Sequence, residues 1–187
     1  MNTEDYKMEV LRQLNNDTYY EKCENDPIET VKGNILQCVE DMNATNEFDT
    51  FPSNIRPPCF YILPKIHKKP DSNLPLKYPG RPIVSACNAP TENISKYIDY
   101  ILKPHMIGLP SFVKDTTDFI NKVKDIKLES NSFFVTLDVT SLYTNIPHDD
   151  GIDACKSFLE ENSTHRRNLS TDETGRLIKL VLENNYF

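Results

Sequence analysis

The block Phe133 to Pro147, FFVTLDVTSLYTNIP, constrains this chain more than any other stretch of it. Phe133, Phe134, Val135 and Thr136 are aromatic or β-branched, Leu137 adds a further apolar side chain, and there is no clear polar alternation, the pattern of a strand covered on both faces. Asp138 ends the run, and Tyr143 follows five residues on. A carboxylate at the end of such a strand, followed by small and hydroxylated residues, can hold a hard cation while nearby backbone groups approach a phosphate. The same residues also fit a plainer arrangement, in which the aspartate starts a turn or caps a helix and Tyr143 packs in a core.

The chain ahead of this block divides by charge. Residues 1 to 50 carry four Lys/Arg against twelve Asp/Glu, a balance of -8, whereas residues 60 to 105 carry seven against three, a balance of +4. The net charge of -7 therefore excludes a protein that coats nucleic acid wholesale, yet leaves room for a local basic patch. Two acidic amphipathic helices are expected before residue 50. Asp26 as N-cap, Pro27 at the first helical position and Glu29 three residues after the cap announce the second, and Val31, Ile35, Cys38 and Val39 fall on one face. The five cysteines are odd in number, widely spaced and lack any C-x-x-C pair, so they indicate neither a disulfide framework nor a zinc site. With no apolar leader and no membrane-length apolar run, a reduced intracellular compartment and no membrane partner are expected.

Residues 59 to 85, CFYILPKIHKKPDSNLPLKYPGRPIVS, read as two short apolar strands joined by a proline-rich basic loop, a hairpin-like unit. Lys65, His67, Lys68, Lys69, Lys77 and Arg81 crowd a small area that suits a polyphosphate or a nucleic-acid backbone, although lysines in a loop also serve merely as a solvated surface. His67 fits a phosphate or template contact, or a histidine hydrogen-bonded within a turn. Beyond the hairpin, Pro90 to Glu92 opens a helix with Ile94, Tyr97, Ile98, Ile101 and Leu102 on one side, expected to stop at Pro104. Asp115 caps another, whose Phe119, Ile120, Val123 and Ile126 are expected to face a core. After Pro147 a helix presents Ile152, Cys155, Phe158 and Leu159, and its Asp149-Asp150 pair is best explained as first-turn acids favoured by the helix dipole. Ser170 and Glu173 form a capping box for a final amphipathic helix whose apolar face is expected to run on into exposed Tyr186 and Phe187, an ending that leads one to expect more chain.

Four segments carry a family resemblance. D-V-T-S-L-Y-T-N-I-P, Asp138 to Pro147, resembles the first catalytic palm motif of reverse transcriptases, and in its wording the Penelope-like retroelement branch. L-P-K-I-H-K, Leu63 to Lys68, and P-G-R-P-I-V-S, Pro79 to Ser85, resemble the fingers motifs of that family, and Pro90 to Asp99 is similar to its P-T-E-x-x-S-x-x-x-D segment. The resemblance implies an α+β fold: the fingers and front part of a right-hand polymerase palm, with helices packed on a small β-sheet. The domain would be incomplete, with an N-terminal acidic helical region at 1–50 and fingers with partial palm at 51–187, truncated before the second and third catalytic palm motifs.

The function implied is RNA-directed DNA polymerisation by two-metal nucleotidyl transfer, with RNA template, DNA primer and dNTP as partners. Asp138 would be the catalytic metal ligand and the Val139 carbonyl a second ligand beside the nucleotide. Tyr143 would gate the nucleotide's sugar. Lys65 and Arg81 would grip the triphosphate, with His67, Lys68 and Lys69 on nucleic acid. Two Mg²⁺ ions are implied, with Mn²⁺ as a substitute. One aspartate cannot hold both metals, so the segment alone is not expected to polymerise. The alternative is a catalytically inactive retroelement remnant that at most binds nucleic acid through the Lys65 to Arg81 patch. A nuclear location would rest on retroelement biology alone.

Overall fold

The computed structural model describes residues 2–139, 142–162 and 168–187, and it is a mixed α+β structure dominated by helices. Helix α1 spans Thr3–Leu14 and α2 spans Ile28–Asp41. A two-stranded antiparallel sheet follows, β1 at Cys59–Pro64 and β2 at Gly80–Ser85. Helices α3 (Glu92–Ile107), α4 (Thr116–Val123), the single turn α5 (Leu142–Asn145), α6 (His148–Glu161) and α7 (Thr171–Glu183) complete the order.

The helix starts obey their sequence signals. Asn2, Asp115 and Ser170 each accept a hydrogen bond from a backbone N–H of the first turn, relieving one donor that the helix cannot satisfy internally. At Ser170 the exchange is reciprocal, because the Glu173 carboxylate accepts the Ser170 N–H at 2.7 Å. Helix α2 starts one residue later than the Asp-Pro signal indicates: Pro27 takes the cap position, and the Asp26 carboxylate accepts from the Ile28 N–H at 3.0 Å.

The core lies where α2, α3, α6 and α7 meet. Val31, Ile35 and Val39 from α2 join Ile94 and Ile98 from α3, Ile152 from α6, and Leu177 and Ile178 from α7 in one buried cluster. Their i, i+3, i+4 spacing puts each set on one helical face, and full burial of such a side chain contributes about 1.5–3 kcal/mol. Gly175 lets α6 and α7 approach closely, since a Cβ there would stand 2.9 Å from Lys156 Cδ. Lys156 Nζ then reaches Asp172 Oδ1 at 2.6 Å across the same seam.

Three expectations are corrected. Residues 133 to 139 form no strand: Phe134 is 84% and Leu137 93% exposed, and among the described residues only β1 and β2 pair. A strand needs a neighbour to take its N–H and C=O groups, and no edge is offered to this run. Helix α4 is amphipathic as read, but none of its residues is buried, and Phe119, Ile120 and the following Ile126 are exposed. Helix α3 continues through Pro104 to Ile107. The carbonyl that Pro104 deprives of a donor belongs to Tyr100, one turn earlier on the same solvent-facing side, where water can serve it.

Of the C-terminal aromatics, Phe187 is exposed as expected, at 43%, whereas Tyr186 is not. Helix α7 ends at Glu183, Tyr186 is half-buried against the core, and Phe187 stacks on Phe60 with ring centroids 5.0 Å apart. The Tyr186 hydroxyl is buried without a hydrogen-bond partner among the described residues, and burial, with the charges of Asp26 and Glu29 adding to it, raises its phenol pKa. An unpaired buried hydroxyl costs about 1–3 kcal/mol. Tyr186→Phe is therefore expected to raise the midpoint of thermal unfolding; a lower midpoint would show that the hydroxyl has a partner in solution.

Candidate nucleic-acid interface

The hairpin register fixes the geometry of the basic patch. Tyr61 pairs with Ile83, Leu63 with Arg81 and Pro64 with Gly80, and the Lys65 N–H donates to the Pro79 carbonyl at 2.9 Å. Side chains alternate between the two faces of a strand, so Tyr61, Leu63, Lys65, Arg81 and Ile83 share one face, with Lys65 and Arg81 as diagonal neighbours beside the loop. Phe60, Ile62, Pro64, Gly80 and Pro82 form the other face, and there Ile62 is buried.

That second face is covered by α1. Ile62 lies opposite Pro82, which has no N–H to give, and its own N–H and C=O turn outward. The Tyr6 hydroxyl takes both, accepting from Ile62 N at 2.9 Å and donating to Ile62 O at 3.3 Å. Two helical turns on, Gln13 Nε2 donates to the Gly80 carbonyl at 3.1 Å and to Glu9 Oε1 at 2.8 Å. Arg12 holds both Glu9 oxygens at 2.7 Å. A Cβ on Gly80 would stand 2.7 Å from Gln13 Nε2 and 3.2 Å from Ile62 Cδ1, so a side chain there would displace the Gln13 amide from its present position.

The Glu9 side chain is fully buried. Burial alone would raise its carboxyl pKa, but the hydrogen bonds from Arg12 and Gln13, with the Arg12 charge, outweigh it and hold the carboxyl below its ordinary value. A carboxyl depressed in the folded state contributes stability above the unfolded value, about pH 4.3, and loses it as the pH falls through the folded value. Acid melts should therefore show wild type losing more stability below about pH 4 than Glu9→Gln does. Parallel curves would mean that Glu9 is solvated in solution.

The hairpin cations are exposed or half-exposed, and among the described residues none of Lys65, Lys68, Lys69, Lys77 and Arg81 has an ion-pair partner. Helix α1 thus clasps the hairpin without neutralising it. His67, Lys68 and Lys69 stand in the loop, where the Lys68 N–H donates to the Lys65 carbonyl and the Asp71 N–H to the Lys77 carbonyl. Lys77 itself sits at φ 59°, a left-handed conformation that orders the return to β2.

The second candidate group lies outside the hairpin, in the run that follows α4. Asp138 and Val139 are exposed residues of the extended run, and Asp138 is the sole acid between Ser130 and His148. Among the described residues no three His, Cys, Asp or Glu side chains are gathered as a metal site. The backbone of Tyr143 belongs to α5, and its side chain lies outside the described residues. Asp149 and Asp150 occupy the first turn of α6, as the sequence indicates. Ser95 and Asp99 line an open depression with Ala86, Cys87, Glu92 and Lys96, but the Ser95 hydroxyl is spent on the Thr91 carbonyl and Asp99 lies 3.9 Å from Lys103.

Tyr6, Glu9 and Gln13 were not legible as part of this surface. Their spacing, i, i+3 and i+7, does mark a polar stripe on α1 with an aromatic hydroxyl at one end, and that stripe is the signal available in the sequence. No helix among the described residues is long and apolar enough to cross a membrane. Comparison with protein-family models, curated proteins and solved structures finds no match.

Proposed function

We propose that this chain supplies the fingers hairpin and the first metal-binding aspartate of an RNA-directed DNA polymerase of the Penelope-like type. The observation that supports the reading best is the register that makes Lys65 and Arg81 diagonal neighbours on one hairpin face, without an ion-pair partner among the described residues, in motifs that resemble the nucleotide-gripping fingers of that family. In this reading Arg81 presents its planar fork to two phosphate oxygens, and Lys65 supplies a compact charge beside it. The Asp138 carboxylate and the Val139 carbonyl are hard oxygen donors of the kind magnesium takes, and both are solvent-accessible. Magnesium, when bound, neutralises developing phosphate charge; the chain's own part is to position the triphosphate and one metal ligand. Tyr143 excludes ribonucleotides by a clash with the 2′-hydroxyl.

The decisive experiment is templated dNTP incorporation on an RNA template with a DNA primer, by the polypeptide that carries this segment. Asp138→Asn is expected to abolish incorporation, and incorporation that survives would sink the reading. A second reading, nucleic-acid binding without turnover, is favoured by the isolation of Asp138 from other acids in its run. It predicts binding that depends on Lys65 and Arg81 and is indifferent to Asp138.

A further inference from the structure

We infer that α1 is a positioning element of the phosphate-binding hairpin, with Tyr6, Glu9 and Gln13 holding the two strands so that Lys65 and Arg81 keep a fixed spacing. The inference rests on the hairpin being the phosphate site. A two-stranded ribbon by itself is only marginally stable in water, and its twist and splay set the distance between side chains on facing strands. Helix α1 removes that freedom by reaching both outer margins from one helical face. Tyr6 takes the outward N–H and C=O of Ile62 on β1, and Gln13 takes the outward carbonyl of Gly80 on β2.

The Gly80 carbonyl belongs to the same planar peptide group as the Arg81 N–H. Fixing it fixes the plane from which the Arg81 side chain departs, and Leu63 opposite Arg81 is followed two residues on by Lys65. Glu9 fixes the fixer. Its buried carboxylate binds one amide hydrogen of Gln13 and so orients the other toward Gly80, while Arg12 balances its charge. The helix thus acts on the cations through backbone geometry and not through opposing charge, since none of its acids pairs with them. No other helix meets the hairpin through comparable hydrogen bonds among the described residues.

The test compares the intact 187-residue chain with Tyr6→Phe, which deletes one oxygen atom, with Gln13→Ala, and with the Lys65→Ala/Arg81→Ala double variant. The probe is inorganic tripolyphosphate, titrated at several salt concentrations, with amide hydrogen exchange across the hairpin read in parallel. Tyr6→Phe and Gln13→Ala should speed hairpin exchange by about tenfold and weaken tripolyphosphate about three- to tenfold, leaving the salt slope unchanged because no cation is lost. The double variant should lower affinity and slope together. Faster hairpin exchange with unmoved affinity would overturn the inference, because α1 would then stabilise the fold without tuning the site. A double variant that binds as well as the intact chain would overturn the phosphate-site reading itself.

Discussion

Alanine at both Lys65 and Arg81 should weaken tripolyphosphate binding by about two to four orders of magnitude, since a hydrogen bond to a charged group contributes about 1.5–3 kcal/mol. The effect is expected to be large because, among the described residues, neither cation has an ion-pair partner to compete with the ligand or to be orphaned by the substitution. Arg81 should account for more than half of it, as only guanidinium offers two parallel donors to one phosphate. With an oligothymidylate in place of tripolyphosphate, the slope of log affinity against log salt should fall by about 0.7 for each phosphate contact removed. Titration of both ligands at several salt concentrations reads each quantity. Equal affinity and slope in the double variant would reduce the patch to a solvated loop.

The second large effect separates the two apolar regions of the molecule. Leu177 is fully buried where α7 meets α2 and α3, so Leu177→Ala should cost about 2–5 kcal/mol, a large part of the stability of a domain this size. Phe134 has a larger ring but is 84% exposed, so Phe134→Ala should change stability by less than about 0.5 kcal/mol. Chemical denaturation of the two variants makes the comparison directly. A loss above about 2 kcal/mol from Phe134→Ala would mean that the ring is buried in solution, restoring the covered strand that its sequence suggests.

Phe134 also shows where sequence reasoning ended. Helix positions were legible because capping and a 3.6-residue period are local: Ser170 with Glu173, and Ile94, Ile98 and Ile101, can be read with no knowledge of what lies across from them. The hairpin was legible for the same reason, its strands being separated by a loop of turn-forming residues. Whether an apolar run finds a partner is a non-local fact. Phe133 to Leu137 has the composition of a strand, and Phe119 and Ile120 the spacing of a core face, yet neither pattern says which surface receives them. At Pro104 the local stop signal gives way, because a proline on a wet helical face deprives only a carbonyl that water can serve. Of the candidate site, the placement of Lys65 and Arg81 on one face followed from the hairpin, whereas the clasp by α1 joins residues more than fifty positions apart.

The way α1 meets the hairpin also governs how the chain behaves at high concentration. A sheet of two strands is all margin, and unpaired N–H and C=O groups along a margin recruit strands from other molecules. Here Pro64 and Pro82 carry no N–H, the Ile62 groups are plugged by the Tyr6 hydroxyl, and the Gly80 carbonyl is occupied by Gln13. Both margins are thereby closed to cross-strand assembly over their central residues. The hazard moves to Phe133–Leu137, an aromatic and β-branched segment without proline or charge that stands open to solvent. Fibril formation and precipitation should therefore start at that segment, and a lysine placed within it would protect the protein where the same change in β1 would not.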